Sequence, residues 1–339
     1  MTLQRPDARL TLASGTALSL AEAGCARVQV DLSFGEAHDA VVVYLWPGSK
    51  LAGAAPGDGF TVALGTGDGD PEQVLAAAVE CVDLLPGGTV LTALAPTAVL
   101  GRTYVGRSWR ETTLGQVVHD LLDEGGVDAG TIDADLTLPA LHVDPHRSVW
   151  SALHDLARRT GHEITTTSDG AVSFSPAPGA TSGGGLGGLA GAVASAASSL
   201  LGLGSTSLRE GAELLAAART TRTAPPAAGP AGARVNPAST ASWAIPQAAP
   251  DDGSGVVVLD PALRTREAAD TATNAFAKAA ARRGTTARLR IPGRPGLRPG
   301  GSVDVEAGDA TTTYRLLAVR HTLDAAAGYL CAIVAEAAS

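Results

Sequence analysis

Arg27–Phe34 (RVQVDLSF) alternates apolar and polar residues over a full strand length, and Ala40–Trp46 (AVVVYLW) follows it as an unbroken apolar run. Alternation means a strand with one buried and one wet face; a β-branched and aromatic run means a strand covered on both sides. Turn signals punctuate what comes next. Pro56-Gly57-Asp58-Gly59 leads into Phe60–Leu64, and Pro86-Gly87-Gly88 marks a second reversal. Short strands between such turns fit a barrel or a sandwich.

From Thr112 the period changes to that of a helix. Leu114, Val117, Val118, Leu121 and Leu122 share one helical face, and the Gly125-Gly126 pair ends it. Ser148–Arg159 predicts a second helix stopped by Gly161, and Glu163–Thr166 with Ala171–Phe174 predicts a hairpin around Ser168-Asp169-Gly170. Gly170 to Leu208 holds no Asp, Glu, Lys, Arg or His. Its Gly/Ala/Ser centre reads as linker or inter-subunit packing. A membrane span is disfavoured because Gly, Ala and Ser insert weakly and no basic or aromatic anchors flank the stretch. Ser207-Leu-Arg-Glu210 has the spacing of a capping box and predicts a short helix, Leu208–Arg219. Residues 223–255 are rich in Pro and Ala and predict irregular chain. A helix opening at Asp260-Pro261 and closing at Gly284 precedes strands at Ala287–Ile291, Ser302–Glu306, Thr312–Arg320 and Tyr329–Ala335. The Pro/Gly run Pro292–Gly301 between them must be loop.

An internal repeat links the two β regions. A shift of 240 places Ala78-Val79 on Ala318-Val319, Gly88 on Gly328, Leu94 on Val334 and Ala95 on Ala335. Pro56-Gly57 with Val62 resembles Pro299-Gly300 with Val305 at a shift of 243. The recurring order of turn, strand and turn predicts two similar β-barrels in one chain.

The composition narrows the chemistry. The 339 residues carry a net charge of −9, and 23 of the 25 basic residues are scattered Arg, with only Lys50 and Lys278 beside them. A specific nucleic-acid binder needs a dense basic stripe instead. Cys25, Cys81 and Cys331 lie far apart and read as small buried apolar residues, without a disulfide framework. His142, His146, His154 and His162 lack the company of a zinc site: Pro145 breaks the one suitable spacing and no acidic or thiol partner accompanies them. Neither GxSxG nor HExxH is present. Asp120, Asp123 and Glu124 could supply a glycosidase carboxylate, but on an amphipathic helix they form the wet face. No catalytic, cofactor-binding or metal residue is assigned.

Three stretches give the chain a likeness. They are Tyr104–Trp109 (YVGRSW) followed by Thr113–Val118 (TLGQVV); Asp144–Gly161 (DPHRSVWSALHDLARRTG) ahead of the Gly170–Phe174 strand; and Leu297-Arg298-Pro299-Gly300 with Val303 and Val305, then Tyr314–His321 (YRLLAVRH) and Gly328-Tyr329. Together they resemble the baseplate or tail hub of contractile injection systems, meaning the phage late control protein D family and the hub portion of type VI spike proteins. The resemblance implies a mainly β chain with an α+β insert, carrying two tube-like barrels and assembling as a homotrimer. Its expected divisions are a first barrel over 1–111, the insert over 112–175, a low-complexity segment over 176–255, and a helix plus second barrel over 256–339. Three chains would then offer six similar barrels between a three-fold spike and a six-fold tube.

The expected role is structural and non-enzymatic: a hub that joins the trimeric spike to the first ring of the inner tube, meets other baseplate proteins and nucleates assembly. It would be built in the bacterial cytoplasm and end in a virion-like particle. The alternative is a tail-associated peptidoglycan hydrolase. The interface residues expected are Arg102, Arg107, Trp109, Arg110, Arg294, Arg298, His321 and Tyr329, and the net acidity suggests a channel wall that repels nucleic acid or cargo. The 176–255 segment is longer and richer in Ala and Gly than this resemblance would lead one to expect, and no β-helical spike repeat follows the second barrel.

Overall fold

Val28, Val30 and Leu32, the apolar members of the opening stretch, all point into one core and are essentially inaccessible to solvent. The computed structural model describes residues 6–177 (apart from 13, 14, 16, 68 and 69), 206–209, 212–222, 272, 275, 278, 279 and 281–338. The first β region comprises β1 (Pro6–Leu12), β2 (Leu18–Ser19), the one-turn helix α1 (Leu20–Ala23), β3 (Cys25–Ser33), β4 (Ala40–Leu45), β5 (Gly59–Thr66), β6 (Glu72–Leu85) and β7 (Gly88–Leu94). A 3₁₀ turn, Pro96–Gly101, leads into an insert of β8 (Arg107–Thr113), α2 (Leu114–Gly125), β9 (Ala129–Ile132), β10 (Thr137–Val143), α3 (Val149–Thr160), β11 (His162–Thr166) and β12 (Val172–Pro176). The second β region holds β13 (Thr206–Arg209), β14 (Ala216–Thr221), β15 (Thr285–Pro292), β16 (Ser302–Ala307), β17 (Ala310–Asp324) and β18 (Gly328–Ala337).

The insert helices form where their caps say they should. Thr113 and Ser148 each accept a backbone N–H with the side-chain oxygen, from Gln116 and Ser151. Gly161 ends α3 at φ 75°, a left-handed conformation that glycine adopts without cost. The apolar faces of α2 and α3 close over a core of their own with Trp109, Leu138, Ile164 and Phe174. A second, larger core joins both β regions, running from Ala8 through Ala95 and on through Leu208 to Ala335.

The strand order repeats, and only the outermost strand differs in direction, β1 being antiparallel to β5 and β13 parallel to β16. In the first region the strand order is β1-β5-β6-β7-β4-β3; in the second, β13-β16-β17-β18-β15-β14. Each region therefore contains a long strand (β6, β17) hairpinned to its successor, with a Pro-Gly turn and short strand on one flank and two more strands on the other. The 240-residue shift is corrected at the level of single residues. Both long strands carry a bulge, β6 between Val79 and Cys81 and β17 between Leu316 and Ala318. Gly57 N–H donates to Val79 O and Gly300 N–H to Leu316 O, both at closely similar length (2.8 and 2.9 Å). Val79 thus superposes on Leu316, a shift of 237, because the β17–β18 hairpin runs further before it turns.

The two β regions are not separate blocks. β17 pairs β16 along its first half and β3 along its second, from Ala318↔Ser33 to Asp324↔Arg27, so a single 13-stranded sheet spans both. No ring of strands closes among the described residues.

Two further expectations are corrected. The Ser207–Glu210 box does not start a helix: Thr206–Arg209 is a strand parallel to β16, and Ala216–Thr221 a strand beside β15. Ser207 Oγ donates to Glu306 at 2.6 Å, Arg209 Nε donates to the same carboxylate, and Leu208 is fully buried. Tertiary pairing overrides the local cap signal. A true capping box stands instead at Ser19-x-x-Glu22. Cys81, expected buried, is half-exposed on β6. Most of 176–255 and the start of the 260–283 helix lie outside the described residues, although Lys278, Ala279, Ala281 and Arg282 are helical and Gly284 N–H closes on Ala281 O. No helix among the described residues is long and apolar enough to cross a membrane.

Candidate assembly surfaces

The expected site residues divide into those committed inside the chain and those at its surface. His321, on β17, is fully buried. Its Nε2 lies 3.1 Å from Leu297 O, an acceptor, so that nitrogen carries the proton; Nδ1 then accepts from Tyr329 Oη at 2.8 Å, with Cys331 Sγ 3.3 Å away. Burial pushes the imidazole pKa down to about 4 and the Cys331 thiol up to about 11, and raises the Tyr329 phenol as well. The cluster is neutral and pins the Pro292–Gly301 loop to the sheet. Gly293 completes it: a Cβ there would come within 2.0 Å of the Tyr329 ring. Arg294 contributes its N–H to Cys331 Sγ at 3.3 Å.

Arg298, from the same loop, reaches into the first β region and donates to Val74 O at 2.6 Å. Its Nη2 is buried with no partner among the described residues, and burial pulls the guanidinium pKa down against the attraction of Asp39, Glu72 and Asp169. Asp39 is itself buried, its carboxyl pushed up by desolvation, and accepts from Ser33 N–H and Thr166 Oγ1. Thr166 belongs to the insert, so this group ties three parts of the molecule together. A second clamp does the same with four charges. Arg315 and Arg282 bracket Glu163 of β11 and Glu336 of β18, with Arg282 Nε–Glu336 at 3.0 Å and Arg315 Nη1–Glu336 at 3.4 Å. Arg315 also stacks over Phe34 at 4.5 Å. Arg298, His321 and Tyr329 thus serve as internal fasteners, which one polar letter in a sequence cannot disclose.

The Arg102–Arg110 stretch is placed differently. Arg102 forms a two-pronged ion pair with Glu80 of β6, at 2.7 and 3.1 Å. Arg107 bonds Asp120 at 2.9 Å and Glu124 at 3.2 Å and lies over the Trp109 ring. Trp109 is buried, its Nε1–H donating to Asp120 at 2.7 Å. Arg110 is exposed on β8. Asp120, accepting from Trp109, Gln116 and Arg107, has its pKa lowered by those bonds against the cost of burial. It is therefore an ionised structural anchor.

The four histidines do not converge. His142 faces Ser108, His146 sits in the Asp144 turn, and His162 stacks on Phe174. His154 lines a shallow cleft of about 330 Å³ with Gly35, Trp150, Arg147, Asp155 and Arg158, where both arginines pair with Asp155. Among the described residues no group of three or more metal-ligating side chains forms.

An apolar group also stands open. Trp46 (58% exposed), Leu84 (79%) and Leu85 (55%) stand at one end of neighbouring strands, where Leu45 and Leu84 both sit opposite Thr89 of β7. Large apolar side chains grouped at the end of a sheet form an exposed patch of the kind that interaction sites present. The adjacent leucines before Pro86-Gly87 were the sequence signal for it.

No protein-family model matches the sequence, and no curated protein matches it at a significant level. The fold, by contrast, has close counterparts among solved structures. A 43 kDa tail protein of prophage MuSo2 from Shewanella oneidensis superposes with a TM-score of 0.67 at 13% identity, covering 97% of this chain and 98% of that one. A tail protein from Neisseria meningitidis MC58 gives 0.65 at 15% identity, over 98% and 96%. The Escherichia coli c3393 protein, a type VI secretion component described as structurally similar to the phage T4 tail proteins gp27 and gp5, gives 0.59 at 10% identity, over 97% and 77%. The chain has the mainly β fold of phage-type tail proteins, and at these identities the likeness is one of fold.

Proposed function

We propose that this chain is a structural hub of a phage-type tail or injection particle, acting as a homotrimer that joins a spike to the first ring of an inner tube. The observation that carries the proposal is the doubled strand order. One chain presents the same six-strand order twice, so three chains present it six times, which is what a three-fold to six-fold adaptor requires. The fold shared end to end with prophage tail proteins, and over 77% of a type VI component, supports the same reading. In the assembled hub each six-strand unit would curl into one tube-like barrel, the sheet curvature being completed by neighbours.

The work is mechanical. Arg298, the His321 cluster and the four-charge clamp hold both β regions and the insert as one body that can transmit load from spike to tube. The role needs no enzymatic step, and Asp120, the best-placed acid on α2, is already committed to Trp109, Gln116 and Arg107. Spike, tube and other baseplate proteins are the partners, and the particle is assembled before release with its host cell. Native mass spectrometry of the chain with the tube protein of the same particle tests the proposal. One chain per two tube subunits is expected; a one-to-one complex, or no complex, would overturn it.

A further inference from the structure

The repeat predicts a strand pairing that the single chain does not make. In the second β region the far half of β17 is covered by β3, in register Ala318↔Ser33 through Asp324↔Arg27. The corresponding half of β6, Glu80–Leu85, pairs β7 on one side and nothing among the described residues on the other. At the opposite end of the ladder β14, the counterpart of β3, pairs β15 and no other strand among the described residues, with every residue exposed. One region thus lacks the strand that the other has to spare.

The register follows by walking the hydrogen-bonded ladders. Past its bulge, Cys81 faces Thr92, which faces Val42, which faces Gln29. Past the matching bulge, Ala318 faces Val334, which faces Arg288, which faces Ala218. Gln29 and Ala218 are therefore counterparts, and β14 (Ala216–Thr221) superposes on residues 27–32 of β3. Gln29 pairs with Thr322, four residues beyond Ala318. The residue four beyond Cys81 is Leu85.

On the trimeric reading given above, we infer that β14 of one chain adds antiparallel to β6 of a second copy, with Val82 opposite Thr221, Asp83 opposite Thr220, Leu84 opposite Arg219 and Leu85 opposite Ala218. The burial record agrees. The counterparts of Val82 and Leu84 are Val319 and His321, both buried, whereas Val82 is only partly covered and Leu84 is the most exposed large apolar side chain described. An exposed edge of this kind calls for a partner strand. The contact is head-to-tail, uses a different edge at each end, and alternates with the intrachain β3–β17 pairing, so it can propagate into a closed ring.

Cysteine cross-linking of the full chain tests this. Asp83 and Thr220 occupy the outward positions that Arg320 and Asp31 fill, as an ion pair, in the intrachain ladder. In a Cys81→Ser background, Asp83→Cys with Thr220→Cys should oxidise to species of two and three chain masses on a non-reducing gel. Asp83→Cys with Ala216→Cys, on the same face but four residues out of register, should not. Leu84→Asp, which leaves the core untouched, should reduce the cross-linked fraction at least tenfold. Trimers in mass photometry with no cross-link, or with equal cross-linking of both pairs, overturn the register while leaving the hub standing. A chain that stays monomeric overturns both, and an intrachain disulfide without mass increase overturns the pairing between copies.

Discussion

Acidifying the protein should unmask His321. Its imidazole is buried and neutral, with Nε2–H committed to Leu297 O and Nδ1 to Tyr329, and its pKa is held at about 4 against 6.5 for a hydrated histidine. A depressed histidine pKa means that the unfolded chain takes up a proton which the folded chain refuses. Stability is therefore full above pH 6.5 and falls as the pH drops towards 4. The whole displacement corresponds to roughly 3 kcal/mol, and at pH 5 to roughly 2 kcal/mol. Urea denaturation of the wild type and of His321→Gln at pH 7.5 and pH 5.0 isolates this. Glutamine keeps one donor and one acceptor but does not titrate. His154 and His162, also held low by burial, and Glu163 and Asp39, held high, contribute equally to both proteins and cancel in the difference. The wild type should lose about 2 kcal/mol more than the variant between the two pH values. Equal losses would show that His321 is protonated or solvated in the folded state and would refute the buried neutral cluster.

Three substitutions probe the other fasteners. Gly293→Ala forces a methyl group into the Tyr329 ring and should cost about 1–3 kcal/mol by overpacking, read as a lower urea midpoint with unchanged slope. Glu163→Gln removes the carboxylate shared by Arg282 and Arg315 and should cost about 3–5 kcal/mol. Because Glu163 belongs to the insert and Arg315 to the sheet, limited proteolysis between the two should also speed up; an unchanged digestion pattern would argue against the clamp. Trp109→Phe leaves Asp120 without its Nε1–H donor and should cost about 1–3 kcal/mol, with hydrogen exchange quickened in β8 and α2 while the large sheet is unaffected.

Legibility in the sequence tracked how local the determining physics is. Val28, Val30 and Leu32 announced β3 through alternation, and α2 and α3 were bounded within a residue or two, because period and caps are short-range properties. β6 was harder: its Ala-rich run carries little apolar contrast. The Ser207 box failed because Glu306, 99 residues away, takes the hydroxyl. The repeat was visible, but its residue-level match lay hidden behind two bulges and hairpins of unequal length. Among candidate site residues, the burial of Arg298 and His321 depended on Val74, Leu297 and Tyr329, partners brought in by folding alone. Leu84 and Leu85 beside a turn gave a readable signal of an open surface whose importance the strand ladder then revealed.

The doubled six-strand unit would build a three-fold ring with near six-fold character. Single-particle imaging of the purified full chain, with its mass measured in the same buffer, tests this. The expected particle is a ring of about 101 kDa, three times the 33.8 kDa chain, with three-fold symmetry and six similar β lobes around a central channel. A 33.8 kDa monomer, or a two-fold particle with the β6 edge and Leu84 still open to solvent, would contradict it.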